Sequence, residues 1–161
     1  MLEIMMDFLE EIGWSYDRVS EPVDALVFDF EEPDVGGWAC YALPREEQQI
    51  CLFYSECPIQ TPQDRWPAVS EFLMQANYGM PIGNFEMNPE TGEIRFKTGI
   101  DVEGDRLSKA LFKGIVKANV EMMAEYLPGI IMVGLEGYSP EAAIQEIESG
   151  ELSSSDSGSV P

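Results

Sequence analysis

"GNFEMNPETGEIRFKTGID", residues 83–101, holds two short alternations of apolar and polar residues on either side of Pro89, Glu90, Thr91 and Gly92. A period of two is that of a strand, whose successive side chains point to opposite faces. If those four residues form the loop, Asn88 stands opposite Glu93, Met87 opposite Ile94, Glu86 opposite Arg95, Phe85 opposite Phe96 and Asn84 opposite Lys97. Aromatic then meets aromatic on one face and acid meets base on the other, each such pair contributing about 0.2–1 kcal/mol. A slip of one residue would exchange the faces, so the side chains themselves specify this hairpin. Gly92 supplies the left-handed residue the turn requires. The stretch reads as scaffold, not as a binding loop.

Upstream, "DALVFDFEEP" (24–33) sets Leu26, Phe28 and Phe30 against Asp29 and Glu31, the pattern of a strand with one wet face, and Pro33 helps to end it. "GGWACYAL" (36–43) and "QQICLFYSE" (48–56) follow as two more strands joined through "PREEQ", a connection of hairpin length. That pairing could bring Cys40 and Cys51 near each other. With Cys57 the thiols are odd in number and lack a C-x-x-C spacing, which argues against a disulfide framework and against zinc. They read as small buried residues.

Three segments carry the helical period. In residues 2–12, Leu2, Met5, Leu9 and Ile12 share one side, with Glu3, Asp7, Glu10 and Glu11 elsewhere. A second helix is expected to open with Thr61 as N-cap, Pro62 at the first position and Asp64 in the first turn, to tolerate Pro67 near its start, and to repeat Val69, Leu73 and Ala76 at helical spacing, with Trp66 and Phe72 beside them, before Gly79 and Pro81 close it. The third, Arg106 to Leu127, is apolar on more than one side. One row is Leu107, Leu111, Ile115, Ala118 and Met122, another is Phe112, Val116, Met123 and Leu127, and a polar stripe runs through Arg106, Lys109, Lys113, Lys117, Glu121 and Glu125. One apolar face can cover a sheet; the other needs a further helix or a second subunit. Periodicity leaves open whether "PGIIMVGLEG" (128–137) is helical or extended. Ser139 and Pro140 then open a short last helix with Ala143, Ile144 and Ile147 inward, and residues 149–161 read as a disordered, acidic, serine-rich tail.

Thirty acids against nine bases give a net charge of -21, which disfavours nucleic acid and anionic lipid as partners and suits a client with basic segments. "MLEIMMDFLEEIGW" has acids within its apolar stretch and no basic lead-in, unlike a secretory signal, and no apolar run approaches a membrane span. A cytoplasmic protein is expected. "DVEGD" (101–105) resembles the start of a calcium loop, but Arg106 and Phe112 stand where that loop needs glycine and glutamate. The absence of histidine removes the usual general base and the commonest zinc ligand. "GYSPE" around Ser139 lacks the closing glycine of a nucleophile elbow, and no phosphate-binding glycine motif is present. No catalytic, metal or cofactor-binding residue is therefore assigned, and no partner-binding residue is singled out.

The order of elements, and the wording of "FLMQANYGMPIGNFEMNPETGEIRFKTGID", "ALFKGIVKANVEMMAEYLPGI" and "YSPEAAIQEIE", resembles the YbjN family of bacterial proteins, with the type III secretion chaperone-like fold. The resemblance implies an α+β domain over 1–148, an antiparallel five-stranded sheet with helices packed on it in the order α-β-β-β-α-β-β-α with a short final helix. It also implies a small acidic cytosolic protein, a homodimer, of chaperone-like or sensory-regulatory kind, without catalytic residues.

The favoured function is a non-catalytic protein-binding module, chaperone-like or a regulatory adaptor, that offers apolar surface on a small acidic dimer to a client's basic or unfolded segment. The alternative is a small-ligand sensor or small enzyme with a pocket between sheet and helices, lined by Trp38, Tyr41, Phe53 and Trp66.

Overall fold

The computed structural model describes residues 1–150; the expected tail lies, from residue 151 onward, outside the described residues. The hairpin has the register its side chains demand. β5 (Asn84–Met87) pairs β6 (Ile94–Asp101) with Phe85 opposite Phe96 and Glu86 opposite Arg95. The Asn88 amide closes the ladder on the Glu93 carbonyl at 2.8 Å. The two phenylalanine rings meet edge to face at 4.7 Å between centroids, and Arg95 pairs Glu86 at 2.8 Å. Gly92 sits at φ 74°, and a Cβ there would also strike the Trp66 indole, so two demands converge on one glycine.

β2 (Ala25–Glu32), β3 (Gly36–Arg45) and β4 (Ile50–Glu56) form the expected meander, and the antiparallel sheet runs β1-β2-β3-β4-β6-β5. It has six strands, not five. The additional β1 (Asp17–Val19) holds three exposed residues paired along β2, so backbone hydrogen bonds build it and no apolar alternation announces it. Cys40 stands opposite Ser55 and Cys51 opposite Pro44, so the β3–β4 register separates the two thiols instead of facing them.

α1 (Leu2–Glu11) buries Met5, Phe8 and Leu9. α2 (Trp66–Asn77) begins four residues later than Pro62, after a 3-10 turn at Gln63–Arg65. The cause is Pro67: in a helix opened at residue 62 its ring would clash with a carbonyl one turn back, whereas a start at Trp66 leaves it in the first turn, where no bond is lost. Thr61 is thus no cap. Its hydroxyl is buried without a partner among the described residues, and its methyl lies against Gly134.

α3 (Lys109–Gly134) starts where the Ser108 hydroxyl accepts from the Leu111 amide, 3.2 Å, and it passes through Pro128. An interior proline costs about 3 kcal/mol, but full burial of Ile130 and Val133 contributes about 1.5–3 kcal/mol each, so the helix continues. Its carbonyl end is held by Arg65, which donates to the Val133 carbonyl at 2.7 and 3.0 Å and to that of Tyr138 at 3.0 Å. Leu111, expected inward, is 41% exposed. α4 (Pro140–Glu148) has its expected cap, Ser139 accepting from the Ala142 amide.

The helices share one side of the sheet. Phe112 of α3 packs on Phe8 of α1 and Phe53 of β4, and Tyr126 packs on Phe85. The second apolar side of α3 meets α2 and α4, so helices of the same chain cover it and it creates no need for a second subunit. At the centre Asn119, fully buried, donates its amide to the carbonyls of Phe53 and Phe96 and to Thr98 Oγ1, all at 3.1 Å. Its own oxygen has no partner among the described residues.

Candidate functional site

Side chains of the sheet alternate between the helix-covered core and the opposite, outer face. Leu26, Phe28, Trp38, Cys40, Ala42, Cys51, Phe53, Phe96 and Thr98 are buried toward the helices. Between them, Val27, Ala39, Tyr41, Leu43, Leu52 and Tyr54 are half-buried and lie outside the core cluster. They form rows across neighbouring strands on the outer face. One row is Val27, Tyr41, Tyr54 and Lys97, the next is Leu43, Leu52 and Gly99. Leu52 can lean across β6 because residue 99 is glycine; a Cβ there would come within 2.8 Å of Leu52 Cδ2. Among the described residues no helix packs on this face, and its apolar side chains remain half-buried.

Charge borders this floor. The Tyr41 hydroxyl donates to Glu56 Oε2 at 2.8 Å; burial first, then Glu56, pushes its pKa up to about 12, so it remains a neutral donor. The Arg95 guanidinium lies over the Tyr54 ring, 4.4 Å from its centroid, while it pairs with Glu86. Lys97 binds the same carboxylate. Burial pushes the Glu86 carboxyl up, but hydrogen bonds and charge from Lys97 and Arg95 outweigh it and hold the group below the ordinary carboxylate range. Ala25, Tyr41, Leu43, Tyr54, Glu56, Glu93 and Arg95 together line a groove of about 340 Å³.

At the β5 edge the Asn77 side chain imitates a strand. Its Oδ1 accepts from the Phe85 amide at 2.6 Å and its Nδ2 donates to the Phe85 carbonyl at 3.1 Å, so the outward backbone groups of that residue are already paired.

The four aromatics expected to line one pocket are separated. Trp38 is buried on the helix side with its indole N–H on Ser55 Oγ at 2.9 Å, and Phe53 is fully buried beside Phe28 and Phe112. Trp66 stacks on Gly92 with its N–H on the Thr61 carbonyl. Tyr41 alone lies in the groove of the outer face. The signal that could have found that face is in "ACYALP" and "CLFY", where both alternate positions are apolar; an antiparallel strand with one wet face does not need this. Among the described residues no group of His, Cys, Asp and Glu side chains is placed to hold a metal ion, and no helix is long and apolar enough to cross a membrane. The Asp101 carboxylate accepts from the Glu103 amide in an ordinary turn.

A six-stranded antiparallel sheet with helices on one side places the chain in the class of small α+β domains. The chain belongs to the YbjN family, whose model, described as "Putative bacterial sensory transduction regulator", matches residues 2–132. It is similar in fold to YbjN from E. coli, at TM-score 0.59 and 12% identity over 79% of this chain and 88% of that one. It is also similar to a chain of the ExsC–ExsE complex, at TM-score 0.52 and 11% identity over 78% and 90%. No curated protein matches it.

Proposed function

We propose that this chain is a non-catalytic protein-binding module, regulatory or chaperone-like, that holds an extended segment of a partner protein on the outer face of its sheet. The observation that carries this reading is the half-buried apolar floor of Val27, Tyr41, Leu43, Leu52 and Tyr54, on which none of the described helices packs. A partner segment would gain about 25 cal/mol per Å² of apolar surface it removes from water there. The net charge of -21 favours clients with basic segments and limits aggregation through the same face. A fold neighbour solved as a complex of two proteins agrees with this use.

In this reading residues 1–148 act as one domain in the cytoplasm, and the domain pairs with a second copy. The surface for self-association is the end of α2, where Met74, Tyr78 and Ile82 are 68%, 91% and 49% exposed. Copurification from native cells tests the main claim. Proteins that accompany the wild-type chain should be lost with the double variant Leu43→Asp, Leu52→Asp, provided its circular dichroism is unchanged. Retention of every partner by the folded double variant would place binding elsewhere.

A further inference from the structure

The geometry points to a subsite for one basic side chain of the bound segment, formed by the Tyr41 ring with the carboxylates of Glu56 and Glu93; this rests on the protein-binding reading above. Three observations carry it. First, the chain performs the same recognition on itself next door. Tyr54 stands directly opposite Tyr41, and a guanidinium, that of Arg95, already lies over its ring at 4.4 Å. The face thus binds a cation over one tyrosine and offers the neighbouring ring. Second, the charges are unevenly spent. Arg95, which stands opposite Glu56 and lines the same groove, and Lys97 both bind Glu86, and neither forms an ion pair with Glu56 or Glu93. Glu56 receives only the Tyr41 hydroxyl, on one oxygen, and the exposed Glu93 carboxylate forms no ion pair among the described residues. Third, the groove they line, about 340 Å³, is of a size for one or two side chains and not for a folded element.

The rows of the sheet extend the prediction to a pattern. Leu43 follows Tyr41 by two residues on β3, about 7 Å along the strand, and it faces Leu52. An extended peptide running with β3 presents every second side chain to the face. It therefore sets a basic residue over Tyr41 when an aliphatic residue two positions away lies over Leu43 and Leu52. The partner segment is of the form basic-x-aliphatic, in either chain direction. Charge selects it, since the groove holds the two carboxylates of Glu56 and Glu93 against the single guanidinium of Arg95, which is itself paired with Glu86, and a neutral polar group would add no charge to balance them.

The test uses the full chain and two acetylated, amidated peptides, Gly-Thr-Arg-Thr-Leu-Thr-Gly and the same sequence with citrulline, a neutral isostere, in place of arginine. Titration is followed by amide chemical shifts. The arginine peptide should move the amides of Tyr41, Leu43, Tyr54 and Glu56, and citrulline should weaken its binding about five- to tenfold. Glu56→Gln, nearly isosteric, and Glu93→Gln should each reduce that preference, and raised salt should do the same. Equal affinity of the two peptides for the outer face would overturn the basic subsite and leave the face as a protein-binding surface. Shifts confined to other parts of the molecule, or none with either peptide, would overturn both.

Discussion

Two glycines of α3, fifteen residues apart in numbering, test the packing account with opposite signs. At Gly129 an added methyl would lie 2.8 Å from Phe72 Cε2, closer still to Cζ, and 3.3 Å from Ile147 Cγ1. Carbon atoms in contact prefer about 3.5–4.0 Å, so α2 and α3 must move apart by about 1 Å or Phe72 must leave its rotamer. Phe72 is fully buried and its ring abuts Tyr126, so neither movement is free. Overpacking of this kind costs about 1–3 kcal/mol, and the severity of the overlap places Gly129→Ala at the upper end. The gain in helix propensity, about 0.8–1 kcal/mol, offsets only part of it. The net loss is about 1–2 kcal/mol, a fall in Tm of about 2–8 °C for a chain of this size. Gly114 is exposed, with nothing among the described residues within 4 Å of its added Cβ. Gly114→Ala should therefore keep the propensity gain and raise Tm by about 2–4 °C. Thermal denaturation followed by circular dichroism decides the matter. A Gly129→Ala protein as stable as wild type would refute the close approach of α2 and α3.

Three further outcomes are expected. Asn77→Ala should cost about 1–2 kcal/mol, two hydrogen bonds at a partly wet edge, and should speed hydrogen exchange at the Phe85 amide; unchanged protection there would mean that Asn77 does not close the β5 edge. Burial pushes the thiols of Cys40 and Cys51 up to about 12 and that of Cys57 to about 11, so a disulfide reagent should label none of them in the native chain and all three in guanidinium; rapid labelling of any one at neutral pH would contradict their burial. Because the folded-state pKa of Glu86 is lowered, its stabilisation is complete above the unfolded value of about 4.3 and disappears as pH falls through the folded one. Glu86→Gln should thus lower Tm at pH 7 and leave it near wild type at about pH 2–3, and an equal effect at both values would deny the ion pairs a role.

Much of the hairpin was legible because its information is local. Phe85 with Phe96 and Glu86 with Arg95 can be satisfied together in one register only, and that register is the one observed. The cap at Ser139 and the positive φ of Gly92 are likewise decided within a few residues. Helix limits were less legible. Thr61 and Pro62 form an acceptable start by themselves, and only the steric demand of Pro67 one turn later moves α2 to Trp66. Pro128 is an acceptable stop by itself, and only the burial available to Ile130 and Val133 carries α3 past it. The site residues were the least legible. Tyr41 and Trp38, three residues apart in one strand, must lie on opposite faces, but with both faces apolar the strand itself does not say which one the helices cover.

The amino-acid sequence alone determined the strand register of the hairpin and the surplus of negative charge, because these follow from adjacent pairs and from composition, while the class of fold came from its resemblance to the YbjN family. Tertiary structure alone decided that a sixth strand completes the edge, that α3 is covered by helices of its own chain, and that the sheet keeps a half-buried apolar face on which none of the described helices packs. The physical reason is that burial is a competition between surfaces distant along the chain. A residue's periodicity states that it has an apolar side, and only the packed neighbours determine which apolar side water still reaches.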